Sequence, residues 1–469
     1  MKKVLIANRG EIAVRIIRAC HELGLKTVAV YAKEDEYGVH RFRADEAYQI
    51  GAGKKPIEAY LDMDDIIRVA KQTGADAVHP GYGFLAENEE FAQKCADNGI
   101  IFIGPTVRQL QLFGDKVAAK EVAVKAGLKT IPGTDEPVQS IDEVREFAHT
   151  HGYPIMIKAA MGGGGRGMRI VHDDDELDGA YDRARSEAKQ SFGDDELYVE
   201  KYLKNPKHIE VQILADQHGH VMHLFERDCS VQRRNQKVIE FAPSLALSEE
   251  RRQAICQAAV KLMESVHYQN AGTVEFLVTD EDFYFIEVNP RIQVEHTVTE
   301  LITDVDIVQS QILIADGADL YQDLELPAQD QLKYNGYGIQ CRVTTEDPEN
   351  NFMPDTGRIE TYRSPGGMGV RLDGGNAYAG AVITPYFDSL LVKACVHGRT
   401  FKSAVRRMIR VLHEFQIRGI KTNIPFMLNV LHHPVFAAGQ AHTTFIDQTP
   451  ELFDFKHEKP DAAKQLLAY

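Results

Sequence analysis

Apolar and polar positions alternate with two different periods along the first quarter of the chain. Residues 4–7 form a short apolar run, Arg9-Gly10-Glu11 a turn, and residues 12–23 repeat apolar positions at helical spacing. Gly24 marks the end of that helix, and residues 27–31 predict a second strand. The alternation continues through 64–74, 77–79, 91–99 and 100–104. It predicts βαβ units and an open, doubly wound parallel sheet over residues 1–112. Ligands on such a sheet bind beyond the C-terminal ends of its strands. Two loops fall there: Asn8-Arg9-Gly10-Glu11 and His79-Pro80-Gly81-Tyr82-Gly83-Phe84. The second is either a Gly-Pro turn or a seat for a flat ligand, and the residues alone leave both open. The first has one glycine where a dinucleotide fingerprint needs Gly-x-Gly-x-x-Gly, which argues against a nicotinamide cofactor.

Residues 115–127 predict a helix. Predicted strands at 153–160 and 168–172 flank Gly162-Gly163-Gly164-Gly165-Arg166-Gly167, the richest glycine run in the chain. This loop lacks the Gly-Lys-Ser/Thr ending of a Walker loop. Four successive glycines lose much entropy on ordering, so a closing lid whose backbone N–H groups cover phosphates fits better than a rigid hairpin turn. Lys158, just before it, suits an ATP phosphate, although a lone lysine on a strand is more often solvated. Helix and strand patterns alternate to about residue 300. Residues 338–393 then turn β-rich, with glycine turns at Gly366-Gly367 and Gly374-Gly375, and 403–414 predict an amphipathic helix.

Composition narrows the function. With 44% hydrophobic and 26% charged residues the chain is of ordinary globular type, and 469 residues suggest several domains. Fifty-three Lys and Arg against 69 Asp and Glu give a net charge of −16, a poor balance for generic nucleic-acid binding. Phosphate must therefore be held at a local site. Six scattered cysteines without a Cys-x-x-Cys pair point to reduced thiols and a cytoplasmic home, and no apolar stretch approaches a membrane span.

The acids supply candidate metal chemistry. Gly272-Thr273-Val274-Glu275-Phe276-Leu277 and Phe283-Tyr284-Phe285-Ile286-Glu287-Val288-Asn289 predict a hairpin turning at Asp280-Glu281-Asp282. Glu287 follows an aromatic and apolar run, and Asn289 shares its face. Two carboxylates and an amide oxygen on paired strands offer the hard oxygen ligands that Mg²⁺ prefers. The run Arg291-Ile292-Gln293-Val294-Glu295-His296 and the basic segment Arg227 to Lys237 are each ambiguous alone: they bind an anion or stay solvated. His296 is read as structural.

Together these segments resemble the biotin carboxylases of the ATP-grasp superfamily. The match is carried by Asn8-Arg9-Gly10-Glu11-Ile12-Ala13, His79-Pro80-Gly81-Tyr82-Gly83-Phe84-Leu85, the glycine loop, Arg227 to Lys237, Glu287 to Glu295, and Cys341-Arg342. The resemblance implies a Rossmann-like N-terminal domain at 1–112, an ATP-grasp domain at 113–330 with a lid at about 131–203, and a C-terminal β-rich α+β domain at 331–450. It implies that Lys116, Lys158, His208, Gln232, Leu277, Gly162, Gly163, Gly164 and Gly165 hold ATP, with Glu200, Lys201 and Leu203 at the adenine hinge. Glu275, Glu287 and Asn289 become ligands of Mg²⁺ or Mn²⁺. Lys237, Arg291, Gln293 and Val294 become the bicarbonate pocket. Glu295 becomes the general base, assisted by Arg291. Arg342 becomes the residue that stabilises the biotin enolate, with Tyr82, Gly83 and Phe84 contacting biotin.

A finer resemblance points to the form found in pyruvate carboxylase, through Cys341-Arg342-Val343-Thr344-Thr345-Glu346-Asp347-Pro348, Asp355-Thr356-Gly357-Arg358 and His296-Thr297-Val298-Thr299-Glu300. The alternative is a stand-alone subunit of acetyl-CoA carboxylase or of another biotin-dependent enzyme. The resemblance implies partners outside this chain, a biotinyl carrier domain and a carboxyltransferase domain, and a homodimer of this unit within a tetramer. Residues 451–469 read as the start of a linker helix that stops without a cap, as in an excised domain.

Overall fold

The computed structural model describes residues 1–159, 168–192 and 195–455. The expected lid glycines Gly162, Gly163, Gly164 and Gly165, and the tail from 456, lie outside the described residues.

The N-terminal sheet is built as the pattern predicts. Strands β1 (Lys3–Ile6), β2 (Lys26–Tyr31), β3 (Glu46–Gln49), β4 (Ala77–His79) and β5 (Ile101–Phe102) are all parallel, in the order β3-β2-β1-β4-β5. Successive side chains of β1 enter opposite cores. Val4 and Ile6 pack with Ile12 and Ile16 of helix Gly10–Glu22, and Leu5 packs with Val28, Ile66 and Phe91 on the other face. The strand order reverses between β1 and β4, so the loops at Asn8 and His79 open together at the switch point. Asn8 fastens one to the other: its amide donates to the carbonyls of Pro80 (2.7 Å) and Tyr82 (2.8 Å). Gly81 lies at φ +63°, and a Cβ there would meet the Asn8 amide nitrogen at 2.9 Å.

Several expected boundaries shift for local reasons. Asp115 does not open a helix but caps one: its carboxylate accepts from the N–H groups of Val117 and Ala118, and the helix runs Lys116–Lys125. Gly74 is the left-handed cap of helix Met63–Thr73. The segment expected at 100–104 pairs only over Ile101–Phe102. The helix expected at 403–414 begins at Phe401, capped by Thr400.

The alternation expected up to residue 300 is overturned in the middle. Strands β6 (Ile155–Ala159), β7 (Met168–Val171) and β8 (Leu197–Lys201) form a small sheet ordered β7-β6-β8. After β8 come β9 (Lys207–Ala215), β10 (Val221–Arg233) and β11 (Gln236–Ala242), four strands with no helix between them. Nearly all of β10 is buried although it holds Glu226, Arg227, Asp228, Ser230 and Gln232. Its polar side chains find partners inside the protein, so the strand shows no apolar periodicity.

These strands join β12 (Asn270–Val278), β13 (Phe283–Asn289), β14 (Tyr337–Thr344) and the strands Val370–Gly374 and Leu390–Gly398. The result is one antiparallel eight-stranded sheet, in which β11 pairs β14 from Ile239↔Cys341 to Ala242↔Gly338. The sheet therefore crosses the segment around residue 330 without a break. Gly374 closes a strand instead of making the expected turn. Gly375 lies against the Gly10–Glu11 backbone, where a Cβ would come within 2.8 Å of Gly10 C and Glu11 N.

Arg227 sits at the middle of this sheet, completely buried. Its guanidinium donates to Glu210 (2.5 Å) and Gln212 (2.6 Å) on β9, and to Thr273 (3.1 Å) on β12. It also reaches Gln293 (2.8 Å) after β13 and Thr299 (3.1 Å) in helix His296–Thr303. Removing one member of a buried, hydrogen-bonded charge group leaves its partners stranded. Arg227→Met is expected to cost about 3–5 kcal/mol in stability. Urea unfolding checks this, and a wild-type midpoint would show that the network carries no stability.

Candidate active site

Period-two alternation on β9 places the first charged groups. Ile209, Val211 and Ile213 enter the core under helix Glu249–Ser265, so Glu210 and Gln212 face the opposite way, toward β10 and the loop after β13. Lys237 of β11 points into the same space. Its ammonium meets three carboxylates, Glu210 (2.6 Å), Glu295 (2.7 Å) and Glu275 (3.0 Å). Glu295 directly precedes helix His296–Thr303 and is shared between Lys237 and Arg342 of β14 (3.0 Å). Arg342 is held in turn by Glu240 (2.5 Å). Burial opposes the charge on Glu295, but Lys237, Arg342 and Arg227 hold its carboxyl well below the usual range.

Glu275 and Glu287 are cross-strand partners on β12 and β13. Burial alone would raise Glu275, but Lys237 and then His208, whose Nε2 lies 2.8 Å from it, hold it well below the usual carboxylate range. Glu287 lies the other way: burial, and then the charge of Glu275, push its pKa up. A cation between the two would relieve that repulsion, so the donor set fits a hard divalent ion. Asn289 donates to Glu275 (2.9 Å), and its oxygen accepts from Arg291 (3.0 Å). His208 bonds Gln232 through Nδ1 (2.8 Å) and pairs with Leu277 in the sheet register.

A cleft of about 1180 Å³ opens over these groups. Its wall contains Tyr82, Gly83, Phe84, His208, Gln232, Lys237, Glu275, Leu277, Glu287, Asn289, Arg291, Gln293, Val294, Glu295 and Arg342, which lie far apart in the sequence. Its volume exceeds the roughly 300–1000 Å³ typical of a small-ligand pocket and leaves room for more than one substrate. Gln293 is fixed from both ends of its amide, accepting from Arg227 (2.8 Å) and donating to Glu275 (2.8 Å). Tyr82 donates its hydroxyl to Glu11, and the Phe84 ring lies 5.1 Å from that of Tyr60.

Among the described residues, five expected ones do not line this cleft. Lys158 is paired with Glu200 across β6 and β8 (2.6 Å). Lys201 bonds the carbonyls of Gly152 and Tyr153, and Leu203 lies in the connection from β8 to β9. Lys116, at the start of its helix, partly offsets by its charge the rise that burial and Glu275 impose on Glu287. The pairing expected between Arg291 and Glu295 is corrected. Arg291 turns to Glu87 (3.2 Å), Asn289 and the Ile292 carbonyl, and the positive neighbours of Glu295 come from strands β11 and β14. Arg227 is neither an anion ligand nor solvated, the two readings left open for its segment. His296 is buried, its pKa pushed down to about 3 by burial, in keeping with a structural role.

Sequence reasoning missed Glu210, Glu240, Glu11 and Lys393. The signal for Glu210 was present: after Lys207 and His208, it and Gln212 are the polar members of the apolar remainder of β9.

Three family descriptions match successive parts of the chain: the biotin carboxylase N-terminal domain over 1–110, the ATP-binding domain of the carbamoyl-phosphate synthase L chain over 115–323, and the biotin carboxylase C-terminal domain over 340–448. Pyruvate carboxylase of Bacillus subtilis is 61% identical over 470 residues, and that of Staphylococcus aureus 57% over 467. The chain spans 41% of the length of each of these relatives. The solved biotin carboxylase subunit of a pyruvate carboxylase is 48% identical with a TM-score of 0.88, over 97% of this chain and 100% of that one. The biotin carboxylase domain dimer of Hydrogenobacter thermophilus 2-oxoglutarate carboxylase, solved with MgADP, ADP and bicarbonate, is 47% identical with a TM-score of 0.85, over 97% of this chain and 99% of that one. With the whole of a solved biotin carboxylase subunit matched at this identity, and with the N-terminal and C-terminal biotin carboxylase domains matched on either side of an ATP-binding domain, the chain belongs to the biotin carboxylase family.

Proposed function

We propose that this chain carboxylates biotin with bicarbonate at the expense of ATP, as the first half-reaction of a pyruvate carboxylase. The observation that carries the reading is Glu295, held in ionised form between Lys237 and Arg342 at the cleft wall, with Glu275 and Glu287 beside it.

Bicarbonate enters between Lys237, Arg291, Gln293 and the Val294 backbone. Its negative charge draws on the same cations that depress Glu295, which raises the proton affinity of that carboxylate. Glu295 takes the bicarbonate proton, and the freed oxygen attacks the γ-phosphorus of ATP, releasing ADP and forming carboxyphosphate. Glu275, Glu287 and Asn289 would hold a divalent ion, which would supply neutralisation of the phosphate charge. His208, Gln232, Leu277 and Lys116 hold the nucleotide from the sheet side, and Lys158, Glu200, Lys201, Leu203 and Gly162 to Gly165 from the lid side. Carboxyphosphate breaks to CO₂ and phosphate, and the phosphate takes the ureido N–H proton of biotin. Arg342 stabilises the resulting enolate, and the nitrogen attacks CO₂. Tyr82, Gly83 and Phe84 seat the biotin ring.

The pyruvate carboxylase parent is supported by 61% and 57% identity to the pyruvate carboxylases of Bacillus subtilis and Staphylococcus aureus. We also propose the domain limits 1–112, 113–330 and 331–450. A biotinyl carrier and a carboxyltransferase are the proposed partners, since the chain covers 41% of its relatives, and a homodimer is the proposed assembly. Six buried free thiols support a cytoplasmic location, and no helix among the described residues is long and apolar enough to cross a membrane.

ATP hydrolysis that requires bicarbonate and rises with free biotin is the expected result of a coupled ADP-release assay; hydrolysis indifferent to both sinks the reading. In the same assay Glu295→Gln is expected to lower turnover by about 100-fold or more without weakening ATP binding measured by calorimetry. Near-normal turnover would place the base elsewhere.

A further inference from the structure

One buried charge near the cleft takes no part in the proposed chemistry. Lys393, in strand Leu390–Gly398, is fully buried. Its ammonium reaches the Glu11 carboxylate at 3.0 Å, the Val294 carbonyl at 3.1 Å and Asp373 at 3.9 Å. Its partners come from the helix after β1, the loop after β13 and the strand Val370–Gly374. Glu11 is itself buried, and its other oxygen accepts the Tyr82 hydroxyl.

Packing does not account for this lysine. A buried ammonium is strongly unfavourable, and an apolar side chain of similar volume would fill the space without that penalty. The charge is explained by what it touches. Val294 belongs to the loop assigned to bicarbonate, and Tyr82 to the loop assigned to biotin. Both ends are fixed from behind. Gly375 packs on the Gly10–Glu11 backbone. Asp373 is held by Arg371 (2.8 and 3.1 Å), which also bonds Glu300 (2.6 Å) in the helix that follows Glu295.

We infer that Lys393, with Glu11, is a positioning residue that holds the bicarbonate-side peptide at Val294 and the biotin-side hydroxyl of Tyr82 in one fixed relation. It touches neither substrate. It acts by keeping the site of CO₂ release and the seat of the ureido ring in register, across segments that no backbone hydrogen bond joins directly. The inference rests on the proposed reaction and adds to it a coupling between two substrate sites.

The test is steady-state kinetics on the 469-residue chain with free biotin. Lys393→Met is expected to raise KM for bicarbonate and KM for biotin about tenfold each, leaving KM for ATP unchanged. A structural role alone would not produce that split. Unchanged constants for both substrates overturn the inference, and so does an equal rise in all three, which marks general loosening. Glu11→Gln removes the charge while keeping the shape, and serves if Lys393→Met does not fold. The same split is expected, and wild-type constants overturn the inference. Wild-type protein without bicarbonate-dependent hydrolysis defeats the proposed reaction itself, a result distinct from intact hydrolysis with unaffected variants.

Discussion

A single buried guanidinium sets the terms for the rest of the molecule. Arg227 has no water to solvate it, so every one of its donors must find an acceptor inside the protein. It finds them on β9, β12, the loop after β13 and helix His296–Thr303. Satisfying one cation therefore fixes four pieces of backbone. Gln293 and Glu210, two of those acceptors, spend their remaining bonds on Glu275 and Lys237, so the order imposed at Arg227 passes outward to the cleft wall.

The charges at that wall then regulate one another. Lys237 is surrounded by three carboxylates, and this excess of acid keeps the lysine protonated while the lysine keeps Glu295 ionised. Glu287, cross-strand from Glu275, is pushed up by burial and by the charge of Glu275, and Lys116 and Lys237 offset this only in part. Under the proposed reaction, Glu287 takes a positive partner and a small anion lies near Lys237, the combination that activation of bicarbonate by a metal-bound nucleotide needs.

The continuous antiparallel sheet is what allows residues so far apart to act together. Lys237 and Arg342 lie on neighbouring strands, β11 and β14, so Glu295 is held from both sides by one rigid surface. Residues assigned to nucleotide contact on the β6-β7-β8 sheet stand apart from that surface, their charges paired locally, as between Lys158 and Glu200.

The sequence by itself determined the periodic parts. Alternation of strand and helix patterns specified the parallel N-terminal sheet, because its inner strands β1, β2 and β4 are buried on both faces and read as short apolar runs between helical stretches. The hairpin carrying Glu275 and Glu287 was legible from two apolar runs around an acidic turn. The motifs identified the family, since their identities and order are chemical constraints that need no coordinates. The tertiary structure alone decided which charges meet. Strand β10 hid its role because its polar residues are satisfied by partners up to 118 positions away, which no local period records. For the same reason the neighbours of Glu295 proved to be Lys237 and Arg342 instead of the nearby Arg291. Glu11 and Lys393, separated by nearly the whole chain, became a pair only when the C-terminal strands closed onto the first sheet.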